Sequence, residues 1–329
     1  MLLSQIKVAP LAAESLGVRS MCTYVETSDV RLLLDAGVSL CPYRFGLPPH
    51  PLEFQRINLL RRRIAEAAEK ANVVTISHYH FDHHTPSYED WLVNWTEADE
   101  TARQVYAEKS VLLKNYRERI NASQRQRAWM FLKTAGQHAS KVEVADGKTF
   151  VYGQGTRLQF STPVPHGAEA SALGWVLMLM VECDGERFMY APDVQGPVAK
   201  ATVEQIESFK PHVLFIGGPP FYLAGFKVEE TQLRVAVQNL VRLASTVPVL
   251  VVEHHALREE GWRLWLSEVF EAAEKAGNQV LTAAEFAGEP NFLLESRRKQ
   301  LYMENPPSKE FKAWMAKDWA GKSHVKPPL

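Results

Sequence analysis

Apolar positions along the chain follow two periods, with strands first and then strands alternating with helices. Residues 21–26 and 30–36 are short apolar or β-branched runs split by Thr27-Ser28-Asp29, which predicts a hairpin. Pro42, Gly46, Pro48, Pro49 and Pro51 crowd the next stretch and predict a loop. Leu59, Leu60, Ile64, Ala67, Ala68 and Ala71 recur at helical spacing, predicting a helix over 59–72. Residues 73–77 form a buried strand that runs into a histidine cluster. A helix is expected over 87–94 with Ser87 as N-cap, and another over 123–134, where Ala128, Phe131 and Leu132 are apolar. Strands follow at 158–162 and 175–183, and Asp184-Gly185 turns the chain into a strand at 188–191. Helices at 203–209, 229–244 and 259–276 then alternate with strands at 213–216, 247–253 and 280–284. No internal repeat or low-complexity linker divides the chain. One α/β domain over 1–329 is expected, with a helical, basic insertion around 87–157 and a surface tail from about 296.

Composition narrows the class. With 46% apolar and 23% charged residues, global disorder is excluded. The most apolar uncharged run, 172–181, is ten residues long and reads as a buried strand, so no membrane partner is expected. Residues 1–7 lack a basic segment followed by a long apolar one, so no secretory leader is read there. Cys22, Cys41 and Cys183 are widely spaced and odd in number, which fits a reduced, cytoplasmic compartment and gives no CxxC motif. The net charge of -1 argues against a general nucleic-acid or membrane-surface binder.

The candidate chemistry lies in His78-Tyr79-His80-Phe81-Asp82-His83-His84, just past a predicted strand end. If the backbone there is extended, His78 and His80 face the same way and can hold one divalent ion. Asp82 and His83, past a turn, can hold a second. Packing needs none of these side chains, and burying them without partners costs several kcal/mol.

This His-x-His-x-Asp-His arrangement resembles the signature of the metallo-β-lactamase superfamily. Further positions match in order: Asp35 after Leu32-Leu33-Leu34, His166 in Val164-Pro165-His166-Gly167, Asp193 in Tyr190-Ala191-Pro192-Asp193, and a late histidine in Val252-Glu253-His254-His255. His254 directly succeeds the strand and is preferred to His255. The match spans about residues 20–260. More narrowly, the chain resembles a mainly archaeal branch of that superfamily without an assigned substrate, which carries a similar Ser-His-Tyr-His cluster and Gly-Gly-Pro-Pro stretch. The resemblance implies an α/β fold, a four-layer αββα sandwich. It implies that His78, His80 and His166 hold one metal, that Asp82, His83 and His254 hold another, and that Asp193 bridges both. Imidazole and carboxylate ligands suit Zn²⁺ first, then Mn²⁺, Fe²⁺ or Co²⁺. Two such ions can share a hydroxide and polarise a substrate oxygen, with Asp82 as the catalytic carboxylate that orients it. Flavodiiron oxygen reductases of the superfamily carry Glu where this chain has His80, which disfavours a redox role. The 60 residues between Asp193 and His254 are too few for the inserted domain of the related nucleic-acid-processing nucleases.

Three features bear on the substrate. Residues 109–134 hold seven basic side chains against one acid, Glu118, a local charge of +6 with Tyr116 and Trp129 interleaved. Arg125 and Arg127 are its candidate anion-binding residues; a solvated face is the plainer alternative. The proline-rich loop at 41–51 is a candidate lid offering Tyr43 and Arg44 to substrate, and Gly217-Gly218-Pro219-Pro220-Phe221-Tyr222 can approach the centre closely. The reading is a metal-dependent hydrolase acting on a small-molecule phosphoester or other anionic substrate. The alternatives are a carboxylic ester, thioester or lactone hydrolase, and a non-catalytic nucleic-acid-binding protein with a structural metal. A homo-oligomer is compatible with either; the tail residues Phe311, Trp314, Met315 and Trp319 have the helical spacing of core cover or a subunit contact.

Overall fold

In the computed structural model, residues 3–169 and 171–329 are described, so the start of the stretch read for a leader lies outside them. The first half of the chain builds a six-stranded sheet in the order β1–β6: Lys7–Pro10, Thr23–Glu26, Arg31–Leu34, Val73–Ile76, Ser110–Leu113 and Lys141–Val144. The second half supplies β7 (Thr149–Tyr152), β8 (Thr156–Phe160), β9 (Val164–Pro165), β10 (Trp175–Val176), β11 (Leu179–Cys183), β12 (Glu186–Ala191), β13 (Val213–Gly217), β14 (Val249–Glu253) and β15 (Gln279–Leu281). Seven of these form a sheet in the order β15-β14-β13-β12-β11-β8-β7, and β9 pairs with β10. Each sheet begins as antiparallel hairpins and continues as parallel strands.

The side-chain period of two explains the layering. Along β12, β13 and β14, residues Phe188, Tyr190, Val213, Phe215, Val249 and Val251 pack into the core between the sheets. Their neighbours Met189, Ala191, Leu214, Ile216, Leu250 and Val252 pack outward, onto Ile206, Leu240 and Val269 of the outer helices. A strand covered on both faces must be apolar at every position, which is why these runs carry no polar alternation. On the far side, the helix Pro51–Lys70 places Phe54, Ile57, Leu60 and Ile64 against the first sheet. Each such fully buried side chain contributes about 1.5–3 kcal/mol. The result is the expected four-layer αββα sandwich. Among the described residues no helix is long and apolar enough to cross a membrane.

Local signals were misread in several places. The first long helix starts at Pro51, eight positions before the expected 59, because His50 is its N-cap and Glu53 closes a capping box with Pro at the first turn. No helix covers 87–94. There the Asp90 carboxylate accepts from the amides of Leu92 and Val93, and Ser87 bonds Asp99 instead of capping. The run 175–183 is two strands, because Trp175 and Val176 pair with Pro165 and Val164 while β11 pairs with β8 and β12. The expected helix 259–276 is Trp262–Trp265 and Ser267–Ala276. Residues 280–284 split where Thr282 caps the short helix Ala283–Phe286. The stretch 87–157 carries helices Ala98–Tyr106 and Ala122–Lys133, but also β5, β6 and β7 of the two sheets. The tail forms three short helices, and its Phe311 and Trp314 are buried against Phe54, the core cover that their helical spacing predicts.

Candidate metal centre

Parallel strands converge their carboxyl ends at one edge of the sandwich. β3 leads to Asp35, β4 to Ser77 and His78, β12 to Asp193, and β14 to His254. This is the edge where α/β sheets place ligands, because the loops there leave every strand in the same direction. Asp35, Asp193 and His254 have φ of 46°, 49° and 63°, left-handed conformations that non-glycine residues adopt at a cost. Two glycines let backbones close in. A Cβ on Gly37 would meet the His84 amide nitrogen at 2.3 Å, and one on Gly217 would meet the Asp193 nitrogen at 2.5 Å.

The structure brings His78, His80, Asp82, His83, His166, Asp193 and His254 into one cluster. Asp193 Oδ2 lies 2.9 Å from His166 Nε2, 3.1 Å from His78 Nε2, 3.3 Å from His83 Nε2 and 3.8 Å from His80 Nδ1. Its Oδ1 lies 3.0 Å from His254 Nε2 and 3.4 Å from His255 Nε2. His254 Nε2 is 3.4 Å from both Asp82 Oδ2 and His83 Nε2. Ligand atoms of His78, His80, His166 and Asp193 all lie within 4.8 Å of one another, as do those of Asp82, His83 and His254.

The donor set fits divalent metal. His78 Nε2 and His80 Nδ1 meet at 2.9 Å beside a carboxylate, so their lone pairs converge on one region. Asp193 Oδ1 is buried with no hydrogen-bond partner, although His254 Nε2 lies 3.0 Å and His255 Nε2 3.4 Å away. A buried oxygen left unpaired in this way is costly unless an ion completes it.

Electrostatics support the arrangement. Burial raises the pKa of Asp193, but His254, His166 and His83 outweigh it and hold the carboxyl well below its usual range. Burial likewise raises Asp82, and the hydrogen bond and charge of His254, with His83, bring it well below. Burial, aided by His83 and His80, holds His78 neutral, as a ligand must be.

A second layer holds the cluster in place. Asp35 Oδ2 lies 2.8 Å from His83 Nδ1, and Asp35 also accepts from the amide and hydroxyl of Ser77. It thus orients the imidazole that faces Asp193, as outer-shell carboxylates do for ligand histidines. His84, which adjoins the cluster, bonds the His80 carbonyl at 2.9 Å instead of facing Asp193. Sequence reasoning missed Arg258. Its buried guanidinium takes Glu14 Oε1 at 2.6 Å through Nε and stands 3.7 Å from Asp82 Oδ2. No motif flags either residue; only position, four residues after His254, could have drawn attention to Arg258.

The candidate substrate residues scatter. Arg44 donates to the Arg258 carbonyl at 3.0 Å and stacks over Tyr222 at 4.6 Å, so the proline-rich loop does reach the rim of the centre. Tyr43 is 58% exposed and makes no side-chain contact with the cluster. Arg127 packs on Phe81 and reaches the Tyr79 carbonyl, within the histidine loop. Arg125 is exposed and donates to the Arg117 carbonyl, away from the cluster. Lys114 is buried on Asn115, Glu118 and Asp146. The basic span is therefore mostly tied up locally or solvated, not a single face turned to the cluster.

A cavity of about 540 Å³ opens beside the cluster, lined in part by His255, Tyr222, Gln195, Leu173, Val198 and Leu233.

No family model matches the chain. A curated relative, the UPF0282 protein of Pyrobaculum neutrophilum, is 45% identical over 299 residues, covering 91% of this chain and 95% of that one. Among solved structures, Tm1679, described as a metal-dependent hydrolase of the β-lactamase superfamily, is 12% identical with a TM-score of 0.45, over 84% of this chain and 95% of that one. CmlA, a diiron β-hydroxylase from Streptomyces venezuelae, is 10% identical with a TM-score of 0.47, over 85% of this chain and 53% of that one. One is named a hydrolase and the other a hydroxylase, so likeness to them leaves the chemistry to be argued from the site. Identity of 45% over nearly the full length of the Pyrobaculum neutrophilum protein settles the nearer kinship: this chain belongs to the UPF0282 family.

Proposed function

We propose that the protein is a metal-dependent hydrolase with a dinuclear centre, Zn²⁺ being the first-choice metal. One observation carries this: Asp193 stands between two overlapping ligand groups, its Oδ2 facing His78, His80, His166 and His83, and its Oδ1 facing His254, which in turn meets Asp82 and His83. In this reading Asp193 would help to hold both ions. When bound, the pair would lower the pKa of a shared water towards neutrality and polarise the substrate oxygen. His254 is favoured over His255 as the last ligand, since it alone also approaches Asp82 and His83. The Asp82 side chain is 16% exposed, more open than Asp193 at 1%, so it can accept a hydrogen bond from water and orient its lone pair towards substrate. A phosphoester or other anionic substrate is favoured by Arg258 beside Asp82 and by Arg44 at the rim.

The apolar share of the adjoining cavity favours a second reading, hydrolysis of a carboxylic ester, thioester or lactone. Elemental analysis of the purified protein tests the centre, with about two metals per chain expected. Asp82→Ala and His80→Ala should each lower that content and abolish turnover while the fold survives. Chromogenic phosphodiester and carboxylic ester substrates, assayed side by side, separate the two readings. A protein that takes up no metal after reconstitution would end both.

A further inference from the structure

We propose that His255 serves not as a metal ligand but as a hydrogen-bond donor to the substrate oxygen, with its proton placed by Arg258. The inference rests on the hydrolase reading above. Arg258 Nη1 lies 3.1 Å from His255 Nδ1. A guanidinium has donors only, so a hydrogen bond here makes that ring nitrogen the acceptor and leaves the proton of a neutral imidazole on Nε2. Tyr222 reinforces this. Its hydroxyl accepts from Arg258 Nη1 at 3.4 Å and stands 3.2 Å from the same Nδ1, so it holds the guanidinium at that edge of the ring. The two rings stack within 10° of parallel, fixing the imidazole plane. Arg258 in turn is held by Glu14, both buried.

His255 Nε2 is 3.4 Å from Asp193 Oδ1, so its N–H faces the cluster without a lone pair to offer an ion. His255 also lines the cavity of about 540 Å³. Its N–H therefore stands where cavity and cluster meet. A preset donor there is placed for an oxygen that gains negative charge during hydrolysis. The apolar walls at Leu173, Val198 and Leu233 assign the cavity to the organic group of an ester. His255 is then the substrate-contacting residue, and Arg258 is a positioning residue that acts through it.

Long-range ¹H–¹⁵N spectra of the full chain, zinc-free and zinc-loaded, test the tautomer directly. The expected result is a protonated Nε2 and a bare Nδ1 at His255 in both forms, with the Nε2 signal moving on titration of inorganic phosphate. His255→Leu should keep the zinc content of the unmodified chain, while His254→Leu loses zinc. Phosphate should bind His255→Leu about tenfold more weakly, and His255→Gln, which restores an N–H near the Nε2 position, should recover most of that loss. A proton on Nδ1, zinc loss in His255→Leu equal to that in His254→Leu, or a phosphate-insensitive Nε2 would each overturn the proposal. Failure of the unmodified chain to bind zinc would instead strike the hydrolase reading, while the zinc-free spectrum still decides the tautomer.

Discussion

The hydroxyl of Tyr190 stands 3.1 Å from Oδ2 of Asp35, so a side chain on the second sheet braces the carboxylate that orients His83 from the first. Tyr190→Phe removes that brace and leaves the ring packing intact. The loss of one buried hydrogen bond should cost about 1–2 kcal/mol, read by equilibrium denaturation. Metal affinity should fall roughly tenfold, read by competition with a chelator, because Asp35 would hold the imidazole less firmly.

Gly37→Ala is a change of one methyl group with a large expected effect. The new Cβ would press on the backbone nitrogens of His83 and His84, at 2.5 and 2.3 Å, and backbone cannot swing aside as a side chain can. The loop carrying the histidines must shift. Destabilisation of about 2–4 kcal/mol is expected, together with lost metal. Near-unchanged melting with full metal content would contradict this account of the loop.

Arg298 and Glu53 form a buried pair at 2.7 Å, joining the tail to the first long helix. Arg298→Met leaves the Glu53 carboxylate buried without its partner, and about 3–5 kcal/mol of stability should go with it. The double variant Arg298→Met/Glu53→Gln, free of the stranded charge, should regain part of that loss. Denaturant midpoints of the three proteins decide the matter.

His84 gives the chain a specific acid sensitivity. Burial, only partly offset by its bond to the His80 carbonyl, pushes its pKa down from 6.5 to about 3. The unfolded chain takes up this proton below pH 6.5 while the folded chain refuses it until about pH 3, so stability present above pH 6.5 drains away as pH falls through that window. By pH 4.5 the contribution lost is about 2–3 kcal/mol. His84→Gln lacks this term. Relative to the variant, the unmodified chain should therefore weaken with acidification, measured by denaturation of metal-free protein across that range.

The fold was legible wherever a strand was covered on both faces or a helix carried an unbroken apolar stripe, as over 73–77 and 229–244. It was illegible where a capping side chain overrode the stripe. His50 and Glu53 started one helix at the last proline of the loop, eight positions early, and the Asp90 carboxylate replaced another helix with turns. The cluster itself could be read because its residue types and order are unusual. Arg258, Glu14 and Tyr190 could not be, since their roles arise from contacts across 155 or more positions for Asp35–Tyr190 and Glu14–Arg258, which no local spacing records. The +6 span misled for a related reason: charge density in sequence says nothing about direction in space, and Arg125 and Arg127 sit on different sides of one helix.

The division of the cluster between the two sheets bears on how the protein matures. As the chain leaves the ribosome, His78, His80, Asp82 and His83 emerge well before Asp193 and His254, so a nascent chain holds only half a chelator. With the proposed metal centre, tight capture of an ion would await completion of the second sheet and its docking on the first, and loading would be coupled to finished assembly.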